Sequence, residues 1–77
     1  MTIRSLSTIA RDIRIDWKNV HYAALPYLQA MACMETINDK YGFDSARGIV
    51  LYFLSNASTW RGTVAKQIKL ELKTMLK

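Results

Sequence analysis

Ile3, Leu6, Ala10, Ile13, Trp17 and Val20 follow one another at spacings of 3, 4, 3, 4 and 3 residues. That spacing lays an apolar stripe along one helix face and does not fit strand alternation. Thr2, Ser5 and Ser7 are all side chains able to cap its start. From Ala23 to Met34 nearly every position is apolar, with Pro26 and Gln29 the interruptions. A helix apolar all round is a buried one, so residues 23–40 are expected to form the central and most buried helix. Pro26 is acceptable in its first turn, and Gly42 marks its end. Asp44 or Ser45 then caps a third helix through the apolar run 49–54. A short apolar run also suits a buried strand, but a single strand has unpaired edges, which favours helix. In the last segment Val64, Ile68, Leu72 and Met75 share one face, and Lys66, Lys69, Lys73 and Lys77 share another. The pattern predicts an all-α fold, a compact bundle of about four helices, with residues 1–77 as a single small helical domain.

Composition narrows the function classes. The chain has 77 residues, 51% hydrophobic and 22% charged, a globular balance. One cysteine and one histidine exclude a disulfide framework and an ordinary structural zinc site. No apolar run approaches the roughly 18 residues of a membrane span, and no signal-peptide core opens the chain. A cytoplasmic protein with no membrane partner is the expectation. At this size core burial is limited, which leaves a homodimer as one way to complete it.

Charge is uneven. Eleven Lys and Arg against six Asp and Glu give a net charge of +5. Residues 1–21 carry net +2, residues 22–57 net −1, and residues 58–77 net +4. At 100° per residue Arg4, Arg11, Arg14 and Lys18 fall within a sector of about 80°, as do the C-terminal lysines. If the terminal helices were neighbours, the two stripes would merge into one basic face able to meet a protein or nucleic acid with an acidic surface. The alternative is a solvated face that keeps the protein dissolved. Ile15 and Leu70 interrupt the two stripes, as apolar anchors inside a charged rim would.

Residues 5–24 admit a second arrangement. If the first helix stops near Ile13 and another begins at Trp17, Ile9, Ala10, Ile13, Ile15, Val20 and Ala23 match the buried positions of a DNA-binding helix-turn-helix. Lys18, Asn19, His21 and Tyr22 would then open a recognition helix. Arg14 stands where such a turn usually has Gly, and the unbroken 3–4 spacing needs no such turn.

Catalytic chemistry finds little support. His21 and Cys33 have no third group spaced to orient them, and Cys33 reads as a small buried hydrophobe. His21 reads as a cap or surface residue. The three glycines are isolated, so no phosphate-binding loop is present. Asp12 and Asp16 read as solvated helix charges. No cofactor, metal or small-molecule substrate is expected. Trp60-Arg61-Gly62 is the densest local cluster: either Trp60 closes the core and Gly62 begins the last helix, or Trp60 and Arg61 stand exposed as an interface anchor.

Ser7-Thr8-Ile9-Ala10-Arg11, Asp16-Trp17-Lys18-Asn19-Val20, Pro26-Tyr27-Leu28-Gln29-Ala30-Met31, the run 49–54, Trp60-Arg61-Gly62 and Ile68-Lys69 span nearly the whole chain. With them the sequence resembles a family of short proteins carried by phages, plasmids and conjugative elements of Firmicutes and other gut bacteria. The resemblance implies a setting rather than a chemistry. Small accessory proteins of mobile elements commonly act by binding and occluding a host macromolecule, a defence component or nucleic acid. Anti-CRISPR and anti-restriction proteins do so, by analogy only. The expected contact residues are Arg4, Arg11, Arg14, Ile15, Lys18, Trp60, Arg61, Lys66, Lys69, Leu70 and Lys73, with the helix-turn-helix regulator as the alternative.

Overall fold

A computed structural model describes residues 4–77; the candidate cap Thr2 and Ile3 of the first stripe lie outside them. Four helices follow in order, α1 (Leu6–Asp16), α2 (Leu25–Met31), α3 (Ala46–Ser55) and α4 (Thr63–Leu76), with a two-stranded hairpin, β1 (Lys40–Tyr41) and β2 (Asp44–Ser45), before α3. α1 packs against α2 and α4, and α3 packs against α2 and α4, so the helices close into a ring around one core.

Of the candidate caps, Ser5 starts α1: its Oγ accepts the Thr8 N–H at 3.2 Å. Leu6, Ile9, Ala10 and Ile13 turn inward as the spacing predicts. α1 ends at Asp16, short of Val20, and Trp17 still reaches the core from the cap position.

The expected long helix over 23–40 is replaced by a short one. α2 holds seven residues, burying Leu28, Ala30 and Met31 and exposing Pro26 and Gln29, so it presents one buried face rather than being enclosed. Past Met31 the ladder tightens, the N–H groups of Cys33 and Met34 bonding back three residues to Ala30 and Met31 at 3.0 and 3.1 Å, and the turn that follows is held by Asp39. Its carboxylate accepts the N–H groups of Glu35 (2.8 Å) and Thr36 (3.2 Å) and the Thr36 hydroxyl (3.0 Å), fixing a turn. These bonds favour the ionised form and hold the Asp39 carboxyl below its usual range, the backbone N–H of Glu35 contributing most. Cys33, expected inside a buried helix, lies past the end of α2 and is exposed.

Gly42 therefore does not stop a helix. It takes φ +66° in the two-residue turn that joins β1 to β2, where Lys40 pairs with Ser45 and Tyr41 with Asp44. Ser45 then caps α3, accepting the Gly48 N–H at 3.1 Å, and the run 49–54 is helical as expected.

The core is built around aromatic rings. Trp60 stacks on Trp17 with centroids 5.7 Å apart, and Phe53 meets Trp17 and Trp60 edge-on at 6.2 and 6.3 Å. The Trp60 indole Nε1–H donates to Asp16 Oδ2 at 2.8 Å across 44 residues of sequence. One side chain so joins the end of α1 to the α3–α4 connection.

Asp16→Ala leaves that buried donor without its partner and is expected to cost about 1–3 kcal/mol. Thermal unfolding should show a midpoint roughly 4–8 °C lower per kcal/mol, with a smaller loss for Asp16→Asn, which keeps an acceptor oxygen. Asp39 predicts a pH effect of definite sign. Because its folded-state pKa is lowered, its contribution is present above the normal carboxyl range and is lost as pH falls below about 4. Asp39→Asn should flatten this acid limb in stability measured against pH.

Candidate functional site

α1 and α4 are neighbours, yet their cationic stripes do not merge. The groove between the helices is lined by Asp12, Asp16 and Glu71 with Arg4, Ile15 and Val64. Arg4 lies across it, bonding Glu71 with both Nε (3.0 Å) and Nη2 (2.7 Å) and pairing with Asp12 through Nη1. The paired carboxylates favour its charged form, Glu71 most, and raise its pKa. Arg4 is thus a clamp joining α1 to α4 rather than a free surface cation. The carboxylates of this seam separate two basic faces.

The first face is on α1 and the start of the connection after it: Arg11, Arg14 and Lys18 are exposed, and Ile15 stands 65% exposed beside them. Arg11 keeps a distant contact with Asp12 at 4.0 Å. The second face is the outer side of α4, where Lys66, Leu70 and Lys73 are exposed and lie in no ion pair among the described residues. The buried side of α4 centres on Ala65, Ile68 and Leu72, while Val64, expected inside, is turned to the α1–α4 groove.

Two of the expected contact residues are engaged within the fold. Trp60 is 2% exposed, so it closes the core and is no surface anchor. Lys69 donates to two main-chain carbonyls beyond the end of α3, Ala57 at 2.8 Å and Trp60 at 2.7 Å. Its ammonium also lies 5.8 Å from the Trp60 ring centroid. Partial burial lowers the Lys69 pKa, with repulsion from Lys73 and Arg61 adding to the effect. Arg61 remains exposed, its Nε at 3.5 Å from the Ser58 carbonyl. Trp60, Arg61, Gly62, Ala65, Lys66 and Lys69 together line a corner pocket of about 250 Å³. Gly62, at φ +116°, makes the turn into α4 that shapes this corner.

The helix-turn-helix arrangement is not formed. α1 continues through Arg14, Ile15 and Asp16, and no non-glycine residue among those described has positive φ. Lys18, Asn19, His21 and Tyr22 lie in the connection to α2 and open no recognition helix. His21 is exposed there; its Nδ1 accepts the Ala23 N–H at 3.1 Å and its ring stacks on Tyr22 at 4.7 Å.

Large exposed apolar side chains also lie outside the basic faces, and of these the sequence offered only Tyr22 as a contact residue. Phe43 is fully exposed at the hairpin tip, Tyr22 stands on the α1–α2 connection, and Leu51 and Tyr52 lie on the outer face of α3, Tyr52 5.5 Å from Tyr27. A signal for Phe43 is present in Tyr41-Gly42-Phe43-Asp44, because a Gly-X pair between short extended segments marks a two-residue hairpin turn. Among the described residues no three His, Cys, Asp or Glu side chains converge on a metal-sized site, and no helix is long and apolar enough to cross a membrane. Comparison of the chain with protein-family models, curated proteins and solved structures gives no match, so the site is read from its own geometry.

The geometry separates two lysines three residues apart. Lys69→Met should destabilise by about 1.5–3 kcal/mol, the range for hydrogen bonds to a charged group. Lys66→Met should stay within about 0.5 kcal/mol of the parent. Urea denaturation of both variants measures the contrast.

Proposed function

We propose that the protein acts by binding rather than catalysis, and that its partner is a macromolecule with an acidic surface met by the outer face of α4. The observation that carries this reading is the sorting of charge. Asp12, Asp16, Glu35, Asp39 and Glu71 each hold a hydrogen bond or ion pair within the fold. Lys66 and Lys73 lie outside every such pair. A surface that presents cations while five of the six carboxylates are internally engaged, the exposed Asp44 of the hairpin being the sixth, attracts anions over a Debye length of about 8–10 Å. Leu70, 66% exposed between Lys66 and Lys73, supplies an apolar contact within the charged rim.

The α1 face, with Arg11, Arg14, Ile15 and Lys18, is a secondary contact, because the acidic seam keeps it apart from α4. The family resemblance adds the setting: a cytoplasmic accessory protein of a phage or other mobile element that occludes a host component, as an anti-defence inhibitor does. A helix-turn-helix regulator is the weaker reading, since Lys18 to Tyr22 form no helix.

The test is a titration of labelled protein with two polyanions, mixed-sequence duplex DNA and poly-glutamate, across a salt series. Binding to at least one, weakening steeply with salt, is expected. The charge reversal Lys66→Glu/Lys73→Glu should reduce affinity at least about tenfold while the circular-dichroism melt is retained. Binding to neither polyanion at low salt, or an unchanged affinity in the reversed variant, overturns the reading.

A further inference from the structure

The corner pocket at the start of α4 has a composition unlike the rest of the surface. Three of its six lining residues are the cations Arg61, Lys66 and Lys69, and none is acidic. The nearby Asp16 carboxylate is taken by the Trp60 indole N–H and lines the α1–α4 groove instead. Like charges are gathered here without a counter-ion from the protein. Arg61 and Lys73 are near enough to Lys69 to disfavour its charged form.

We infer that this pocket seats a backbone phosphate of a nucleic acid. The proposal rests on the polyanion reading above and names the partner's chemical class.

Donor capacity fits such a group. Lys69 spends two of its ammonium protons on the Ala57 and Trp60 carbonyls and keeps a third. Those two bonds also hold the ammonium in place before any ligand arrives, so little side-chain entropy is lost on binding. Arg61 uses only a long Nε contact to Ser58, leaving both terminal nitrogens to form charge-assisted bonds to phosphate oxygens. Lys66 is exposed at the rim. The corner is an open depression of about 250 Å³, which is room for a phosphate group.

The surroundings favour a polymer of regularly spaced charges over a scatter of carboxylates on a protein. Lys73 and Lys77 continue the row from Lys66 along α4. At 1.5 Å per residue the row extends roughly 16 Å, the axial length of about five phosphates of one DNA strand at 3.4 Å each. A phosphate in the corner would fix where the strand begins, and the lysines along the helix would track it. Trp60 is not a base-stacking platform here, because Trp17 covers it and the ring is buried.

The test compares two double variants in DNA titrations over a salt series. Arg61→Ala/Lys66→Ala removes two exposed cations of the pocket, and Arg14→Ala/Lys18→Ala removes two from the α1 face. Both should keep the parent melt. The pocket variant should lose about tenfold or more in affinity at low salt, and its log K against log salt slope should be shallower by about 2, near 0.9 per phosphate contact. The α1 variant should remain within about threefold of the parent. Equal losses in both variants, or none in the pocket variant, overturn the assignment while DNA binding itself still supports the polyanion reading. Binding to poly-glutamate but not to DNA likewise overturns the phosphate assignment alone. In NMR titrations, inorganic phosphate should perturb the amides of Gly62, Ala65 and Lys66 only far above the DNA concentrations that do so. Amide shifts with inorganic phosphate in a protein that binds no DNA would make the pocket a free-anion site and overturn the nucleic-acid assignment. Failure to bind either polyanion removes both proposals together.

Discussion

Trp60 is the point at which three helices are tied. Its ring stacks on Trp17 at the end of α1 and meets Phe53 of α3 edge-on. Its indole N–H donates to Asp16, and its carbonyl accepts from Lys69 of α4. A buried indole needs a partner for its N–H, and carbonyls past a helix end need donors. This one residue meets both needs with side chains from α1, 44 residues away, and from α4, nine residues away. A domain of this size has little core to spare, so a knot that buries one large ring and satisfies its polar atoms matters more than it would in a larger protein.

The knot has a consequence for charge. It engages Asp16 and Lys69 within the fold, and the Arg4 clamp engages Asp12, Glu71 and Arg4 itself. The cations left outward include Arg11, Arg14 and Lys18 on and just past α1, Arg61, Lys66, Lys73 and Lys77 beside α4, and Lys40 and Arg47 around the hairpin and the start of α3. The same bonds that hold α1 and α4 together place carboxylates along their seam and keep the basic faces separate. Residues of one chemical type thus differ in their surroundings: Lys69 is bonded to main-chain carbonyls in the corner that the exposed Lys66 and Arg61 surround.

The helical class was legible because apolar spacing reports which face of a helix is buried, and α1, α3 and α4 lie where that spacing puts them. The length of the second helix was not, since nothing in its apolar run reveals that Cys33 and Met34 would bond back three residues and end the ladder at Met31. Site residues were legible in proportion to how local their surroundings are. Ile15 and Leu70 are exposed within their stripes, as helical periodicity alone requires. Arg4, Trp60 and Lys69 are defined by tertiary partners, Glu71 lying 67 residues from Arg4 and Asp16 lying 44 from Trp60. Spacing assigns a residue to a face but does not say which neighbour that face will meet.

Hydrogen exchange of the Trp60 indole N–H, followed by NMR, tests the central role of this residue most directly. If the Asp16–Trp60 bond ties the helices, the proton should exchange only through global opening, with a protection free energy equal to that of the slowest core amides. Exchange orders of magnitude faster than those amides would show that the corner opens independently of the core, and would contradict the account.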